Sequence, residues 1–195
     1  KEKIFDNIWV QPAAGDAGGS LGAALALWHI DQNNPRKVDH NDSMQGSYLG
    51  PEYSQKEIEE HLDKAGAKYE IFEEEELLDK TATDLSKEEA VGWFQGRMEF
   101  GPRALGGRSI LGDPRSEKMQ KNLNLKVKYR ESFRPFAPSV LKKDLSKWFD
   151  INVDSPYMLM VSNINKDKTI KMTEDQKNLF GIDKLNVKRS EIPAV

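Results

Sequence analysis

The 195-residue sequence contains no cysteine. That excludes disulfides, thiolate zinc sites, iron–sulfur clusters and a cysteine nucleophile, and it suits a reducing cytoplasm, which is the expected location. No apolar run approaches the roughly 20 residues that a spanning helix needs, so no membrane partner is expected. Histidine is scarce: His29, His40 and His61 share no metal-ligand spacing, and all three read as structural. A Gly-x-Ser-x-Gly elbow and a Walker-type lysine loop are missing, and so are internal repeats and low-complexity tracts. The first residue is Lys1 rather than Met, and the chain reads as a piece of a longer polypeptide.

What is present is a polar-leaning mix, 37% hydrophobic and 31% charged. The length corresponds to about one to one and a half domains, enough to hide about 70% of the unfolded surface. The net charge of −3 conceals two opposed blocks. Residues 57–89 hold 13 acids against 4 bases, net −9, whereas residues 97–143 hold 12 bases against 4 acids, net +8. Such asymmetry marks the basic stretch as a candidate anion site, while the near-neutral total argues against a general nucleic-acid binder.

Along the chain, residues 4–10 suggest a short strand, followed by the small-residue loop Gln11 to Ser20 and a buried Ala/Leu-rich helix over 20–31 capped by Ser20. Residues 31–50 are turn-rich and mark a boundary. Ser54 and Glu57 have capping-box spacing, so a helix is expected to about Ala65, stopping at Gly66. Further expectations are a strand at 68–72, two acidic helices within 73–90 with the second starting at Ser86, a strand at 91–95, and a helix over 116–125. Residues 139–150 read as strand then short helix and 157–161 as a strand. Trp28, Trp93, Trp148 and the phenylalanines read as core rather than as a base-stacking platform.

Residues 96–115 stand out, with four arginines overall and six Gly/Pro residues among the first seventeen. Guanidinium stays charged at any working pH and offers a planar fork to phosphate or carboxylate. Arg97, Arg103, Arg108 and Arg115 are spaced by six, five and seven residues, which does not stack on one helical face but suits a folded loop converging on a point. Gly101, Gly106 and Gly107 would let backbone amides approach an anion. The plainer alternative ties some arginines to Glu99, Asp113 and Glu131. Lys126, Lys128 and Arg130 alternate, placing three cations on one side if that segment is extended, with Arg134 beside a rigid Phe133 to Pro138 run. Gly15 to Gly19 ahead of a helix resembles a general phosphate cradle, though glycine there could equally serve only tight helix–sheet packing. Asp16 alone cannot hold a metal.

The string Gly92-Trp93-Phe94-Gln95-Gly96-Arg97-Met98-Glu99-Phe100-Gly101-Pro102-Arg103-Ala104-Leu105-Gly106, continuing through Arg108-Ser109-Ile110-Leu111 and Asp113-Pro114-Arg115, resembles the O-carbamoyltransferase family of nodulation, cephamycin and tobramycin type. Asn124, Lys128 to Glu131 and Phe133 to Pro138 extend the match, as does Gln11 to Ala24 upstream. The resemblance implies a mixed α/β (α+β) fold: residues 1–45 end an actin-like ATPase-superfamily domain, and 46–195 form a YrdC-like twisted sheet with flanking helices, truncated on its C-terminal side.

The implied reaction cleaves carbamoyl phosphate, joins the carbamate to the ATP α-phosphate as carbamoyl-adenylate, and passes the carbamoyl group to a hydroxyl or amine of a small acceptor. Arg97, Arg103, Lys128 and Arg130 are the implied phosphate contacts. Arg108, Arg134, Gly15 and Gly18 are further carbamoyl phosphate/ATP candidates. ATP would come with magnesium, and Asp16 would match a ligand of an iron-type divalent metal whose other ligands lie in the missing N-terminal domain. Family segments of the His-Val-Asp-Gly-(Ser/Thr)-Ala-Arg and Asn-Thr-Ser-Phe-Asn types are also absent, so the chain alone is expected to be inactive. Two rival readings remain: a non-catalytic RNA or polyanion binder, and a structural module whose bases pair with the acidic block.

Overall fold

Helices and loops outweigh strands in the computed structural model, which describes residues 4–195. Seven α-helices and one two-stranded antiparallel sheet make a mixed α+β fold among the described residues. In chain order they are α1 (Asp16–Ala26), α2 (Gln55–Lys64), α3 (Glu74–Ser86), β1 (Val91–Phe94), β2 (Arg108–Leu111), α4 (Met119–Asn122), α5 (Leu145–Trp148), α6 (Glu174–Lys177) and α7 (Gly181–Leu185). α1 and α4 each run on into a π-helical turn, Leu27–Asp31 and Leu123–Val127.

α2 forms where its signals say. Ser54 Oγ accepts the Glu57 amide at 3.3 Å, and the Glu57 carboxylate accepts the Ser54 amide at 2.8 Å, closing the capping box. The helix ends ahead of Gly66, which adopts φ +66°. The acidic stretch makes one helix, α3, rather than two. It runs straight to Ser86, whose hydroxyl donates to the Thr83 carbonyl instead of capping a new start.

Other expectations change. Residues 4–10, 68–72, 139–141 and 157–161 form no strand. α1 starts four residues earlier than expected, and Ser20 lies inside it, donating to Ala17 O at 2.8 Å. That helix is largely exposed rather than buried, as are Leu25, Leu27, Trp28 and Ile30. Apolar composition alone cannot say whether a helix has a covering neighbour. Of the expected core aromatics, Trp93 and Trp148 are half-buried, but Trp28 and Phe94 are exposed.

The chain divides into two compact units. One takes in the residues up to Tyr69, Trp93–Ser109 and Ser155–Met160. Its buried positions are small or polar: Pro12, Gly18, Ser47, Glu99 and Gly107. The other takes in Glu70–Gly92, Ile110–Asp154 and Val161–Val195. It has an apolar centre of Met119, Leu123 and Ala194, with Phe136 packed against it. Gly112 is required there, because a Cβ would stand 2.8 Å from Met119 Cγ. Isolated antiparallel bridges, Phe149 to Ile164 and Thr169 to Ser190, tie its C-terminal segments.

Candidate anion site

The first basic segment, residues 96–109, is organised by one carboxylate. Glu99 is 6% exposed, and its Oε1 accepts the amides of Leu105 at 2.7 Å, Gly107 at 2.7 Å and Arg108 at 3.2 Å. Gly106 N–H donates to Ser109 Oγ at 3.0 Å. Four consecutive amides, 105–108, are thus satisfied inside the loop. Burial pushes the Glu99 carboxyl up, but the amides of Leu105, Glu99 itself, Gly107 and Arg108 outweigh it and hold the group below its usual range. Glycine is needed at position 107, where a Cβ would meet Arg97 O at 2.7 Å and the Glu99 carboxyl at 3.2 Å. The Gly107 amide therefore closes on an internal carboxylate and the Gly106 amide on the Ser109 hydroxyl, so neither is left for a ligand, and no arginine side chain pairs with Glu99 among the described residues. The overlooked signal was an acid placed just ahead of a glycine-rich turn whose amides need an acceptor.

The loop's arginines differ sharply. Arg97 donates to Gly50 O at 3.1 Å and pairs with Glu52 at 3.4 Å, beside an open hollow lined also by Tyr53 and Ser54. Arg108 stacks 3.4 Å over the Phe94 ring and donates to the carbonyls of Gln95, Gly96 and Gly107 at 3.0, 3.1 and 2.7 Å. Arg103 is exposed and, among the described residues, forms no ion pair. It lines a small cleft with Ser47, Phe100 and Tyr157.

Tyr157 is held there by its own network. Its hydroxyl donates to Asp42 Oδ2 and accepts the Gly46 amide at 3.1 Å. Burial and the Asp42 carboxylate push the phenol up to about 12, while the Tyr157 hydroxyl draws Asp42 down. No local pattern links positions 115 residues apart, so this pairing was not legible in the sequence.

The second basic segment has a different organiser. Asn124 is fully buried; its Nδ2 donates to Ser132 O at 3.1 Å and Arg134 O at 2.9 Å, and its Oδ1 accepts Arg130 Nε at 2.6 Å. Arg130 also lies 5.1 Å over the Phe136 ring. Arg134 pairs with Glu131 at 3.0 Å, and Arg115 grips Asp113 through Nε and Nη2, pulling that carboxyl down. Lys126 and Lys128 do not alternate along an extended strand. Lys126 lies in the π-helical turn, Lys128 ends it as the C-cap, and Tyr129 turns with φ +50°. An internal amide cap at Asn124 wins over strand propensity. Lys128 is exposed.

At the start of α1, the Gly15 and Gly18 amides both donate to Ala13 O, at 2.7 and 2.8 Å. A Cβ on Gly18 would stand 2.6 Å from that oxygen, so Gly18 serves close packing. Asp16 is exposed in the first turn of α1. Among the described residues no three His, Asp or Glu side chains gather as a metal centre. One exposed carboxylate does not make a metal site, and no chemical step is derived through a metal.

Each ion pair of the basic stretch uses a carboxylate outside residues 57–89: Glu52, Asp113, Glu131, Asp154. What these segments offer chemically is several arginines held by carbonyls, carboxylates or Asn124, and two exposed cations, Arg103 and Lys128, that form no ion pair among the described residues.

Residues 82–195 match the family model described as "Carbamoyltransferase C-terminus". The chain belongs to the carbamoyltransferase family. It is 53% identical to an uncharacterized protein of Synechocystis over 100% of this chain and 32% of that one. It is 39% identical to Nodulation protein NolNO of Sinorhizobium fredii, covering 91% of this chain and 25% of that protein. It is 31% identical to 3'-hydroxymethylcephem-O-carbamoyltransferase of Streptomyces clavuligerus, covering 86% of this chain and 29% of that enzyme. The chain therefore spans about a third or less of these relatives. No helix among the described residues is long and apolar enough to cross a membrane.

Proposed function

We propose that this chain is the phosphate-handling part of a longer carbamoyltransferase that uses carbamoyl phosphate and ATP. Water cleaves carbamoyl phosphate to carbamate and phosphate with release of a proton, a carbamate oxygen attacks the ATP α-phosphorus, and pyrophosphate leaves. The resulting carbamoyl-adenylate passes its carbamoyl group to a hydroxyl or amine of a small acceptor, releasing AMP. Family membership supports carbamoyl transfer, and the observation that carries the phosphate role is Arg103, a charged fork in an ordered loop that pairs with no carboxylate among the described residues.

In this reading Arg103 and Lys128 meet phosphate oxygens through their charge. Arg97, Arg130, Arg108 and Arg134 first hold their own segments and contribute field. Preorganised cations suit a transition state that gathers charge at phosphorus. Residues 1–45 would close a preceding domain, in which the exposed apolar side chains of α1 find cover, and Asp16 would join metal ligands supplied there. Magnesium would accompany ATP. The test is carbamoyl-phosphate-dependent exchange between ATP and pyrophosphate in the full-length protein. Arg103→Ala is expected to slow it about tenfold or more. Unchanged exchange in the folded variant removes Arg103 from the phosphate site, and absent exchange in the unmutated protein removes the adenylate route.

A further inference from the structure

Four amides in a row, at positions 105–108, form the kind of turn that commonly cradles an anion. Here the anion is built in. Glu99 Oε1 takes three of the four amides, at 2.7, 2.7 and 3.2 Å, and Ser109 Oγ takes the fourth. Gly107 lets the carboxylate come this close, and Glu99 is 6% exposed, so the arrangement is a packed interior rather than a surface contact. An incoming phosphate cannot use those amides without expelling a buried carboxylate, which would then lose three donors at once.

Resting on the carbamoyltransferase reading above, we infer that Glu99 is a positioning residue for phosphate binding. Its carboxylate closes the loop on itself so that phosphate is met by the Arg103 guanidinium and not by backbone amides. Arg103 sits midway between Glu99 and the amides it gathers, on the short arc 100–104 that this clasp ties off at both ends. Two consequences separate this from a loop that merely folds. Loosening the clasp weakens phosphate binding through Arg103, and the two side chains act as one unit. If instead the amides belonged to the ligand, with Glu99 occupying them only in its absence, removing the carboxylate charge would strengthen phosphate binding.

The experiment is isothermal titration of the full-length protein with inorganic phosphate at neutral pH, using Glu99→Gln, Arg103→Ala and the double variant. Thermal unfolding and carbamoyl-phosphate turnover are recorded on the same samples. Glutamine keeps one acceptor oxygen of the same reach, loses the charge and turns the second oxygen into an N–H donor. The expected result is phosphate affinity lowered at least fivefold in Glu99→Gln. The double variant should be no weaker than Arg103→Ala, because the clasp acts through that side chain. Tighter phosphate binding in Glu99→Gln overturns the inference, as does unchanged affinity, and so does an additive double variant. Should Glu99→Gln fail to fold, Glu99→Asp, which keeps the charge but shortens its reach to the amides, takes its place with the same expected loss. Phosphate binding that follows this pattern in a protein without carbamoyl-phosphate turnover sinks the reaction proposed above and leaves the Glu99 assignment standing.

Discussion

Two basic segments of this chain, residues 97–108 and 124–134, carry similar charge and are ordered by opposite means. In the first, a buried carboxylate collects backbone N–H groups; in the second, a buried carboxamide supplies N–H to two carbonyls and accepts one guanidinium. Each hub holds its arginines by ordering the backbone beneath them rather than by pairing with every side chain. The difference lies in the proton. Glu99 can be neutralised by acid, and Asn124 cannot. The hub of the first segment is thus open to acid and the hub of the second is not, although the second carries a titrating carboxylate at Glu131.

The largest effect is expected from Asn124→Ala. It strands the carbonyl of Ser132 and the Nε of Arg130 and leaves the Arg134 carbonyl with Gln120 Nε2, 3.2 Å away, as its remaining donor. With unpaired buried polar groups costing about 1–3 kcal/mol each, a total of about 3 kcal/mol is expected, read as a lower urea midpoint. Asn124→Asp sharpens the point, since it keeps the acceptor for Arg130 but sets an oxygen against two carbonyls. It should stay within about 1 kcal/mol of Asn124→Ala. A loss under about 1 kcal/mol for Asn124→Ala would deny it the organising role.

Acid comes next. The folded-state Glu99 carboxyl lies below its ordinary value of 4.5, so its stabilising contribution is complete above that value. It is lost as pH falls through the depressed folded value. Amide exchange of Leu105, Gly107 and Arg108, corrected for intrinsic rates, should accelerate about tenfold more below pH 4.5 than that of Arg130, whose N–H donates to Asn124 O at 2.9 Å. Glu131, held low by its own amide and by Arg134, titrates in the second segment, so Arg130 is read in Glu131→Gln as well. Equal acceleration in both segments would erase the contrast.

How far the sequence could be read follows from the same contrast. Local signals were legible: the Ser54–Glu57 box, the Gly66 stop, the β1 run and the Asp113–Arg115 and Glu131–Arg134 pairs all depend on neighbours within a few residues. The family resemblance rested on strings of that local kind. What the chain hid was direction. Nothing in Gly96 to Arg108 says whether its amides face a ligand or a side chain, and Glu99 settles that only once the loop closes on it. Likewise, alternation at 126, 128 and 130 has strand periodicity. The choice of a π-helical turn depends on Asn124 finding carbonyls eight and ten residues ahead. The apolar α1 shows a third limit, because periodicity and composition identify a face without naming its cover.

The smallest effect should come from the contact that looks most like a fastening. Arg134 Nε meets Glu131 Oε2 at 3.0 Å, yet the two side chains are 54% and 55% exposed. An ion pair in that setting gives back in lost side-chain freedom and desolvation most of what it gains by attraction. Glu131→Gln should therefore leave the urea midpoint of unfolding almost unchanged, and raising salt to about 1 M should shrink any difference further. If the change instead lowers the midpoint as far as Asn124→Ala does, the second segment is held at its surface. Asn124 would then be one support among several, and the parallel with Glu99 would fail on the side where no proton is involved.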